Sequence, residues 1–213
     1  MSKPILIIGG GGHGRVAIEA LLLSGHEIAG VIDPHPGVAA TLPDGVRWLG
    51  GDEALAAYRP DEYWLANGVG GIGEPHRRSL FEGLSATGYS FVRVQHPAAT
   101  VARAGVVLGE GCQIMAGAVV QPGVRIGANA IVNTRASVDH DCRLGDHCHV
   151  APGAVLCGDV AVGAGTHIGA GAVLIQGVRV GSFSIVGAGA VVLRDVPDGV
   201  VVYSQDIRQE RPR

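Results

Sequence analysis

The chain has 213 residues, a formal net charge of −3 and a hydrophobic content of 47%, which is compatible with a folded protein of two small domains. The slight negative charge argues against nucleic acid as a partner. Its first apolar run, Ile5 to Ile8, is too short for a signal peptide or a membrane span, so we expect no membrane segment and a cytoplasmic location.

The N-terminal part alternates between predicted strands and helices. Short apolar runs predict strands at residues 4–8, 28–32, 63–66 and 89–94. Helical patterns lie between them at residues 16–21 and 74–87. This alternation predicts an α/β domain with a small, Rossmann-like parallel sheet over residues 1–95.

A glycine-rich turn follows the first predicted strand and opens the first predicted helix. Gly9, Gly11 and Gly14 match the GxGxxG spacing, and Asp33 follows the second strand. Free N–H groups at a helix start attract phosphate, so the loop is a candidate for nucleotide or nucleotide-sugar binding. The alternative is that the glycines only allow close packing of the helix against the strand.

The second half of the chain is a strict repeat. Every sixth residue from Leu108 to Val192 is Leu, Ile or Val, and a glycine recurs every eighteen residues from Gly109 to Gly181. Three six-residue units therefore form one coil, and about five coils stack into a three-sided parallel β-helix. We expect the β-helix over residues 96–200, starting at His96 and Pro97, and a C-terminal tail over residues 201–213.

All four cysteines fall within this repeat. Cys112, Cys142 and Cys148 occupy positions that point inward, so we expect reduced, buried thiols rather than disulfides. Cys157 is the fourth. Metal-binding β-helix carbonic anhydrases use two histidines five residues apart, and no pair among the nine histidines here has that spacing, so we expect no metal.

A polar segment interrupts the repeat around His140. His140 is flanked by Asp139 and Asp141, which predicts an imidazole base beside a carboxylate, although a solvated histidine is the alternative. Gly158 follows one coil later, where its N–H could face a developing oxyanion. We expect His149 on the same wall as His140, and His167 in a polar stack one coil beyond His149.

The sequence resembles the hexapeptide-repeat nucleotide-sugar N-acetyltransferases that act on 4-amino-4,6-dideoxy sugars, a family related to sialic-acid O-acetyltransferases. The resemblance covers almost the whole chain and is strongest to enzymes that act on GDP-perosamine. The residues that carry it are the glycine loop with His13, then Asp33, Asn67, Gly68, the stretch 77–82, His96, Pro97 and the segment 133–145 with His140 and Asp141.

The resemblance implies a left-handed β-helix and a direct acetyl transfer. His140 would be the general base and Asp141 its orienting acid, while His149 and the Gly158 N–H would contact the acetyl-coenzyme A thioester. The nucleotide sugar would be bound by residues of the N-terminal domain, namely Gly11, Gly12, His13, Gly14, Asp33, Asn67 and Gly68. Acetyl-coenzyme A would lie between neighbouring β-helices of a homotrimer, and no metal is implied.

Several alternatives stay open at this point. The acceptor nucleotide could be UDP-linked, the acceptor group could be a hydroxyl, and the chain could instead be a nicotinamide-dependent oxidoreductase or a non-catalytic β-helix scaffold. The family's final glycine-x-proline-alanine turn is replaced here by residues 201–205. Contacts of Arg194, Arg208 and Arg211 with coenzyme A phosphates are therefore less expected than solvated tail charges.

Overall fold

The computed structural model describes residues 3–71 and 75–203. The N-terminal elements are β1 (Ile5–Ile8), α1 (Gly12–Leu23), β2 (Ile28–Ile32), β3 (Trp48–Gly50), β4 (Trp64–Asn67) and α2 (Pro75–Ala86). Two 3-10 helices, Pro36–Thr41 and Asp52–Ala57, lie in the connections that flank β3. The predicted helix 74–87 is therefore present from Pro75, and its first residue, Glu74, lies outside the described residues.

The strands of the N-terminal sheet are parallel and lie in the order β3-β2-β1-β4. The central strand β1 is a continuous apolar run because both of its faces are covered. Ile5 and Ile7 pack with Ile18 of α1, whereas Leu6 and Ile8 belong to the cluster that includes Phe81 of α2. The carboxyl ends of β1, β2 and β4 therefore meet at one edge, next to the glycine loop.

One strand prediction in this domain was wrong, and one strand was missed. Residues 89–94 do not form a fourth long strand, because Phe91 makes only an isolated bridge to Leu65 and Val94 already begins a strand of the β-helix. The edge strand β3 (Trp48–Gly50) was not predicted, since it has three residues and lacks a long apolar run. Its pairing with β2, rather than its own sequence, holds it in place.

The rest of the chain winds as a left-handed parallel β-helix with three sheets. The seven-stranded sheet contains β5 (Val94–Gln95), β8 (Gln113–Ile114), β11 (Ile131–Val132), β14 (His149–Val150), β17 (His167–Ile168), β20 (Ile185–Val186) and β22 (Val201–Val202). The six-stranded sheet contains β6 (Thr100–Val101), β9 (Val119–Val120), β12 (Ser137–Val138), β15 (Val155–Leu156), β18 (Val173–Leu174) and β21 (Val191–Val192). The five-stranded sheet contains β7 (Val107–Leu108), β10 (Arg125–Ile126), β13 (Arg143–Leu144), β16 (Ala161–Val162) and β19 (Arg179–Val180).

The coils stack in the eighteen-residue register that the sequence predicted. Ile131 pairs with His149, and His149 pairs with His167, so residues eighteen apart are neighbours in adjacent coils. From β6 onward the second residue of each strand points inward, and its apolar side chain forms a continuous column with those of the neighbouring coils. Burial of each such side chain stabilises the fold by about 1.5–3 kcal/mol, which makes stacking of coils the main source of stability.

All four cysteines have free thiols, and Cys112, Cys142 and Cys148 are buried in the core as predicted. Burial raises the pKa of Cys112 and of Cys142 to about 11 and that of Cys148 to about 12. These three thiols are therefore protonated at neutral pH and pack as small apolar groups.

Two strands that pair with the β-helix lie just outside its predicted limits, 96–200. The boundary after residue 95 stays a prediction, but β5 already pairs with β8. Val201–Val202, placed in the predicted tail, forms β22 and pairs with β20. Arg194 is exposed, while Ser204, Gln205, Arg208 and Arg211 lie outside the described residues. Across the described ranges, no helix has the length and apolar character needed to cross a bilayer.

The N-terminal domain packs on the outer face of the seven-stranded sheet. Outward-facing side chains there are buried, with Gln113 1% exposed and His167 5% exposed. Gln113 and Asn129 of the β-helix form hydrogen bonds with Asn67 and Arg77 of the N-terminal domain. The glycine loop is consequently held close to one face of the β-helix.

Candidate active site

His140 lies at the corner between the six-stranded and five-stranded sheets, directly before the turn residue Asp141. Its Nδ1 is 3.0 Å from Asp141 Oδ2, and its side chain is 53% exposed. A carboxylate accepts hydrogen bonds, so Nδ1 donates and Nε2 carries the lone pair of the neutral ring. The hydrogen bond to Asp141 raises the pKa of His140 above its ordinary value, with further contributions from Asp139 and Asp159.

Gly158 lies one coil beyond His140, next to the imidazole. A Cβ atom at residue 158 would collide with His140 Nε2 and Cε1. The two coils are also joined by the Asp159 N–H, which donates to the His140 carbonyl at 2.8 Å. Because Gly158 has no side chain, the imidazole of His140 can place Nε2 next to the backbone of residue 158. We call His140, Asp141 and Gly158 the corner site.

His149 is not on the same wall as His140, contrary to the prediction. It belongs to the seven-stranded sheet, which lies opposite the corner site across the three-sided β-helix. His167 pairs with it one coil further on, and the two rings form an edge-to-face pair at 4.8 Å, so the predicted polar stack is present. One chain therefore does not bring His149 and His140 together.

Hydrogen bonds hold the His149 ring in one tautomer. Asn133 Oδ1 accepts from the Thr134 N–H, so Asn133 Nδ2 donates to His149 Nε2 at 3.1 Å. His149 Nδ1 in turn donates to the Gly71 carbonyl at 3.3 Å. Burial lowers the pKa of His149 to about 3, so the ring is neutral at physiological pH. A neutral imidazole in this position is suited to contacts with an uncharged group rather than to proton transfer.

The glycine loop forms one wall of an open cavity of about 420 Å³, which we call the loop cavity. Five of the seven residues predicted to bind the nucleotide sugar line it, together with Gly9 and residues 69–71, and these five are Gly11, Gly12, His13, Asp33 and Gly68. The cavity lies at the N-terminus of α1, where backbone N–H groups are available to an anion. The structure thus brings most of the predicted residues together.

Gly14 and Asn67 lie behind the loop cavity rather than in its wall. A Cβ at residue 14 would collide with the Gly9 carbonyl, so Gly14 serves the close approach of helix and loop. Asn67 is buried and points toward the β-helix, where its Nδ2 donates to Asn129 Oδ1 at 3.2 Å and to the Arg77 carbonyl at 3.0 Å. Neither residue lines the loop cavity.

Asp33 shapes the loop through both of its carboxylate oxygens. Oδ2 accepts the Gly10 N–H at 2.7 Å, and Oδ1 accepts the His35 N–H at 2.8 Å. The residue is only 7% exposed, but it still lines the loop cavity. Its position at the end of β2 places it on the far side of the cavity from residues 68–71, which follow β4.

Sequence reasoning singled out His13 and Asn67 but missed that they belong to a polar cluster between the two domains. We call His13, Asn67, Arg77, Gln113 and Asn129 the interface cluster. Arg77 is 6% exposed, and it donates to the carbonyls of Asn67, Val69 and Asn129 at 2.8–3.2 Å. Burial lowers the pKa of Arg77 to about 9, which reflects the cost of holding a cation away from water. Carbonyl dipoles from both domains compensate that charge.

A second cavity of about 390 Å³ lies between α2 and the β-helix, lined by Arg77, Arg78, His147, His149, His167 and Phe183 among others. His147 bridges the two elements: Asn129 Nδ2 donates to its Nδ1 at 3.0 Å, and its Nε2 is 3.5 Å from Glu82 Oε1. Arg78 stacks over the Phe183 ring at 5.4 Å. None of these contacts was predicted.

One signal in the sequence marks many of these residues. From Gly105 to Gly189, each β-helix corner has a turn residue with positive φ, which glycine adopts most easily. Six corners carry another residue in this conformation, namely Asn129, Arg135, Asp141, His147, Asp159 and Phe183. Non-glycine residues in this region cost energy and concentrate where function or packing requires them. Asn129, Asp141 and His147 could have been found in this way.

No group of three or more His, Cys, Asp or Glu side chains is arranged to hold a metal ion within residues 3–71 and 75–203.

Comparison with known families matches the N-terminal part and the β-helix separately. Residues 4–83 match the PglD N-terminal domain. Residues 105–140 match the bacterial transferase hexapeptide (six repeats), and residues 159–194 match the hexapeptide repeat of succinyl-transferase. No curated protein matches the sequence significantly.

Solved structures give much closer similarity. PerB from Caulobacter crescentus in complex with CoA and GDP-perosamine is 41% identical, with a TM-score of 0.84 and coverage of 94% of both chains. A histidine-to-asparagine mutant of perosamine N-acetyltransferase from the same organism is 40% identical, with a TM-score of 0.85, and the match covers 94% of this chain and 93% of that one. The acetyltransferase domain of PglB from Neisseria gonorrhoeae in complex with acetyl coenzyme A is 35% identical, with a TM-score of 0.85 and coverage of 94% and 96%.

The identity, the near-complete coverage of both chains and the shared order of the two domains agree with one another. The chain therefore belongs to the family of hexapeptide-repeat N-acetyltransferases that includes perosamine N-acetyltransferase and the acetyltransferase domain of PglB.

Proposed function

We propose that this protein transfers the acetyl group of acetyl-coenzyme A to the C4 amine of a nucleotide-linked 4-amino-4,6-dideoxy sugar, with GDP-perosamine as the favoured acceptor. The observation that carries the proposal is the corner site, where a carboxylate-paired imidazole presents its basic nitrogen beside Gly158. The complexes of its relatives with CoA and GDP-perosamine support the choice of substrates.

The reaction proceeds by direct attack. The sugar amine forms a C–N bond to the thioester carbonyl, the C–S bond breaks, and the coenzyme A thiolate leaves. His140 Nε2 accepts the proton that the amine loses, and Asp141 keeps the other ring nitrogen protonated and stabilises the imidazolium. The Gly158 N–H is assigned to the oxyanion of the tetrahedral intermediate.

The loop cavity is assigned to the nucleotide sugar. The N–H groups of Gly11 and Gly12 at the start of α1 are suited to the diphosphate, whose negative charge they and the helix dipole stabilise. The sugar then extends along His13 and residues 68–71 toward the β-helix. Asp33 lines the opposite, nucleoside end of the cavity.

The complete site requires more than one chain. His149, assigned to the acetyl group, lies on the sheet opposite the corner site, and the loop cavity lies on that same side of the β-helix. A neighbouring chain is needed to bring its His140 to the sugar. We infer a homotrimer with active sites between subunits, and a cytoplasmic reaction, in keeping with four free thiols.

The test is thiol release from acetyl-coenzyme A by the purified protein, with GDP-perosamine, a UDP-linked 4-amino-4,6-dideoxy sugar and their 4-hydroxy analogues as acceptors. We expect release with GDP-perosamine and formation of the acetamide, identified by mass spectrometry. Thiol release only with the UDP sugar would show that the acceptor is UDP-linked. Release only with a 4-hydroxy analogue would show that the protein is an O-acetyltransferase. No release with any acceptor would contradict the proposal.

A further inference from the structure

We propose that Gln113 fixes the proton of the His13 imidazole on Nε2, so that Nδ1 faces the loop cavity as an acceptor for an N–H or O–H donor of the bound sugar. Gln113 is then a positioning residue, and His13 recognises the sugar rather than the diphosphate. The inference rests on the proposed function, because it specifies which part of the nucleotide sugar His13 contacts.

The orientation of the Gln113 amide follows from its second partner. Gln113 Nε2 donates to the Asn67 carbonyl at 2.7 Å, and Gln113 is 1% exposed. A carbonyl only accepts, so turning the amide over would place two oxygens against each other. Gln113 Oε1 must therefore face His13 Nε2, which is 2.7 Å away. Since Oε1 also only accepts, the hydrogen of this bond belongs to His13 Nε2.

The ring is neutral, which leaves Nδ1 unprotonated. Burial lowers the pKa of His13 to about 4, and the nearby charge of Arg77 lowers it further against the opposing effect of the Gln113 hydrogen bond. Within the described ranges Nδ1 has no hydrogen-bond partner, and it is not enclosed as Arg77 Nε and His167 Nδ1 are. His13 itself lines the loop cavity.

The chemistry of Nδ1 selects the part of the ligand that it can contact. The oxygens of an ionised diphosphate only accept hydrogen bonds, so they have no favourable contact with an unprotonated Nδ1. Gly11 and Gly12 offer backbone N–H groups to those oxygens instead. A hydroxyl or amine of the sugar supplies the donor that Nδ1 requires.

The position of His13 places this contact at the sugar end of the cavity. Gly70 lies against the ring, and a Cβ at residue 70 would be 2.8 Å from His13 Cβ. This end faces the β-helix strand that carries Gln113, whereas Asp33 lies at the other end, after β2. The sugar has to lie toward the β-helix in order to be acetylated, so it meets His13 rather than Asp33.

The tautomer can be measured in the unmodified protein. Histidine labelled with ¹⁵N and a long-range ¹H–¹⁵N correlation spectrum distinguish protonated from unprotonated ring nitrogens, and His13→Asn assigns the signal. We expect Nε2 protonated and Nδ1 unprotonated between about pH 5.5 and 8. A proton on Nδ1 anywhere in this range would overturn the inference.

Binding of two ligands separates the sugar contact from the nucleotide contacts. Calorimetry compares GDP-perosamine with GDP in the wild type, in His13→Phe and in Gln113→Leu. We expect about tenfold weaker binding of GDP-perosamine in both variants and unchanged binding of GDP. Gln95→Leu, an exposed glutamine on the adjacent strand β5, is the matched control and should bind both ligands normally.

The outcomes distinguish this inference from the proposed function. If the wild type binds neither ligand, the proposed function fails, while the spectrum still decides the tautomer. If the wild type acetylates GDP-perosamine but His13→Phe weakens GDP and GDP-perosamine equally, or neither, the inference is wrong. Folding of Gln113→Leu is checked by circular dichroism, and His13→Phe decides alone if that variant does not fold.

Discussion

The corner site and the interface cluster both contain histidine, but the partner of each ring gives it a different chemistry. His140 is exposed and paired with a carboxylate, which raises its pKa, whereas His13 is half-buried against a glutamine amide and has a pKa lowered to about 4. A carboxylate stabilises the imidazolium, so His140 can accept a proton. An amide beside a half-buried ring fixes a neutral tautomer, so His13 can only exchange hydrogen bonds. The hydrogen-bond partner of each ring therefore indicates whether that histidine can transfer a proton, and the residue type alone does not.

The largest expected effect is loss of the base at the corner site. His140→Ala should lower turnover by about 10²-fold or more, because general base catalysis contributes about 10²–10⁴ in rate. Steady-state thiol release measures this, with His76→Ala on the exposed side of α2 as the control. Turnover equal to that of the wild type would remove His140 from the mechanism.

Filling the space beside His140 Nε2 should cause the next largest decrease in turnover. In Gly158→Ala the new methyl group collides with His140 Nε2 and Cε1, so the ring must turn away from its position. We expect turnover to fall by about 30-fold while the fold is retained, as the loss of a positioned contact is worth about 2 kcal/mol. Gly83→Ala in α2, where a Cβ meets nothing within 4 Å, is the matched control. Normal turnover in Gly158→Ala would show that the space beside Nε2 is not needed.

Two half-buried histidines, His13 and His149, should make the stability of the protein sensitive to acid. The folded pKa values of His13 and His149 are about 4 and about 3, below the ordinary value of 6.5. Below pH 6.5 the unfolded chain takes up protons that the folded chain does not, so stability is complete above this pH and is lost as pH falls toward the folded values. At pH 5 we expect a loss of about 2 kcal/mol for each ring.

Denaturant unfolding between pH 7 and pH 5 measures this loss. His149→Gln removes one titrating ring and should show a flatter pH dependence than the wild type, with His76→Gln at an exposed position as the matched control. Parallel pH profiles for the wild type and His149→Gln would contradict the assignment of a neutral, half-buried His149.

The smallest expected effect concerns the carboxylate of the corner site. Asp141→Asn keeps a residue that tolerates the positive φ of 61° at this turn, so the backbone should be preserved. The pKa of His140 should fall toward its ordinary value, and the acid limb of the pH–rate profile should move to lower pH. Turnover at the plateau should decrease by about tenfold because the imidazolium is less stabilised. An unmoved acid limb would show that Asp141 does not set the pKa of the base.

The corner site was more predictable than the interface cluster for a physical reason. In a strict eighteen-residue repeat, residues one coil apart must be neighbours, so counting alone places Gly158 beside His140. The interface cluster depends on which sheet the N-terminal domain covers, and no local pattern encodes that choice. The expectation of His149 beside His140 was wrong for a different reason: the two residues are half a coil apart, so the register itself places His149 on another sheet.

Some of the missing information was nevertheless present in the repeat. Gln113 is a polar residue at an outward-facing position of the seven-stranded sheet, and it is buried in the structure. Asn129 occupies one of the corner turn positions, most of which have glycine. A polar residue that the β-helix does not need is a sign of a partner on that face. What the sequence alone could not supply is the identity of that partner, because Asn67 and Arg77 lie far from these residues along the chain.

The eighteen-residue register has a consequence for how this enzyme can change length. Inserting or removing one full coil after Gly158 would lengthen or shorten the β-helix. His140 and Gly158 would still lie in adjacent coils. Inserting or removing six residues between His140 and Gly158 would instead place the glycine at another corner of the β-helix. The juxtaposition of His140 and Gly158 therefore depends on the eighteen-residue coil: whole coils added elsewhere preserve it, and six residues added between the two do not.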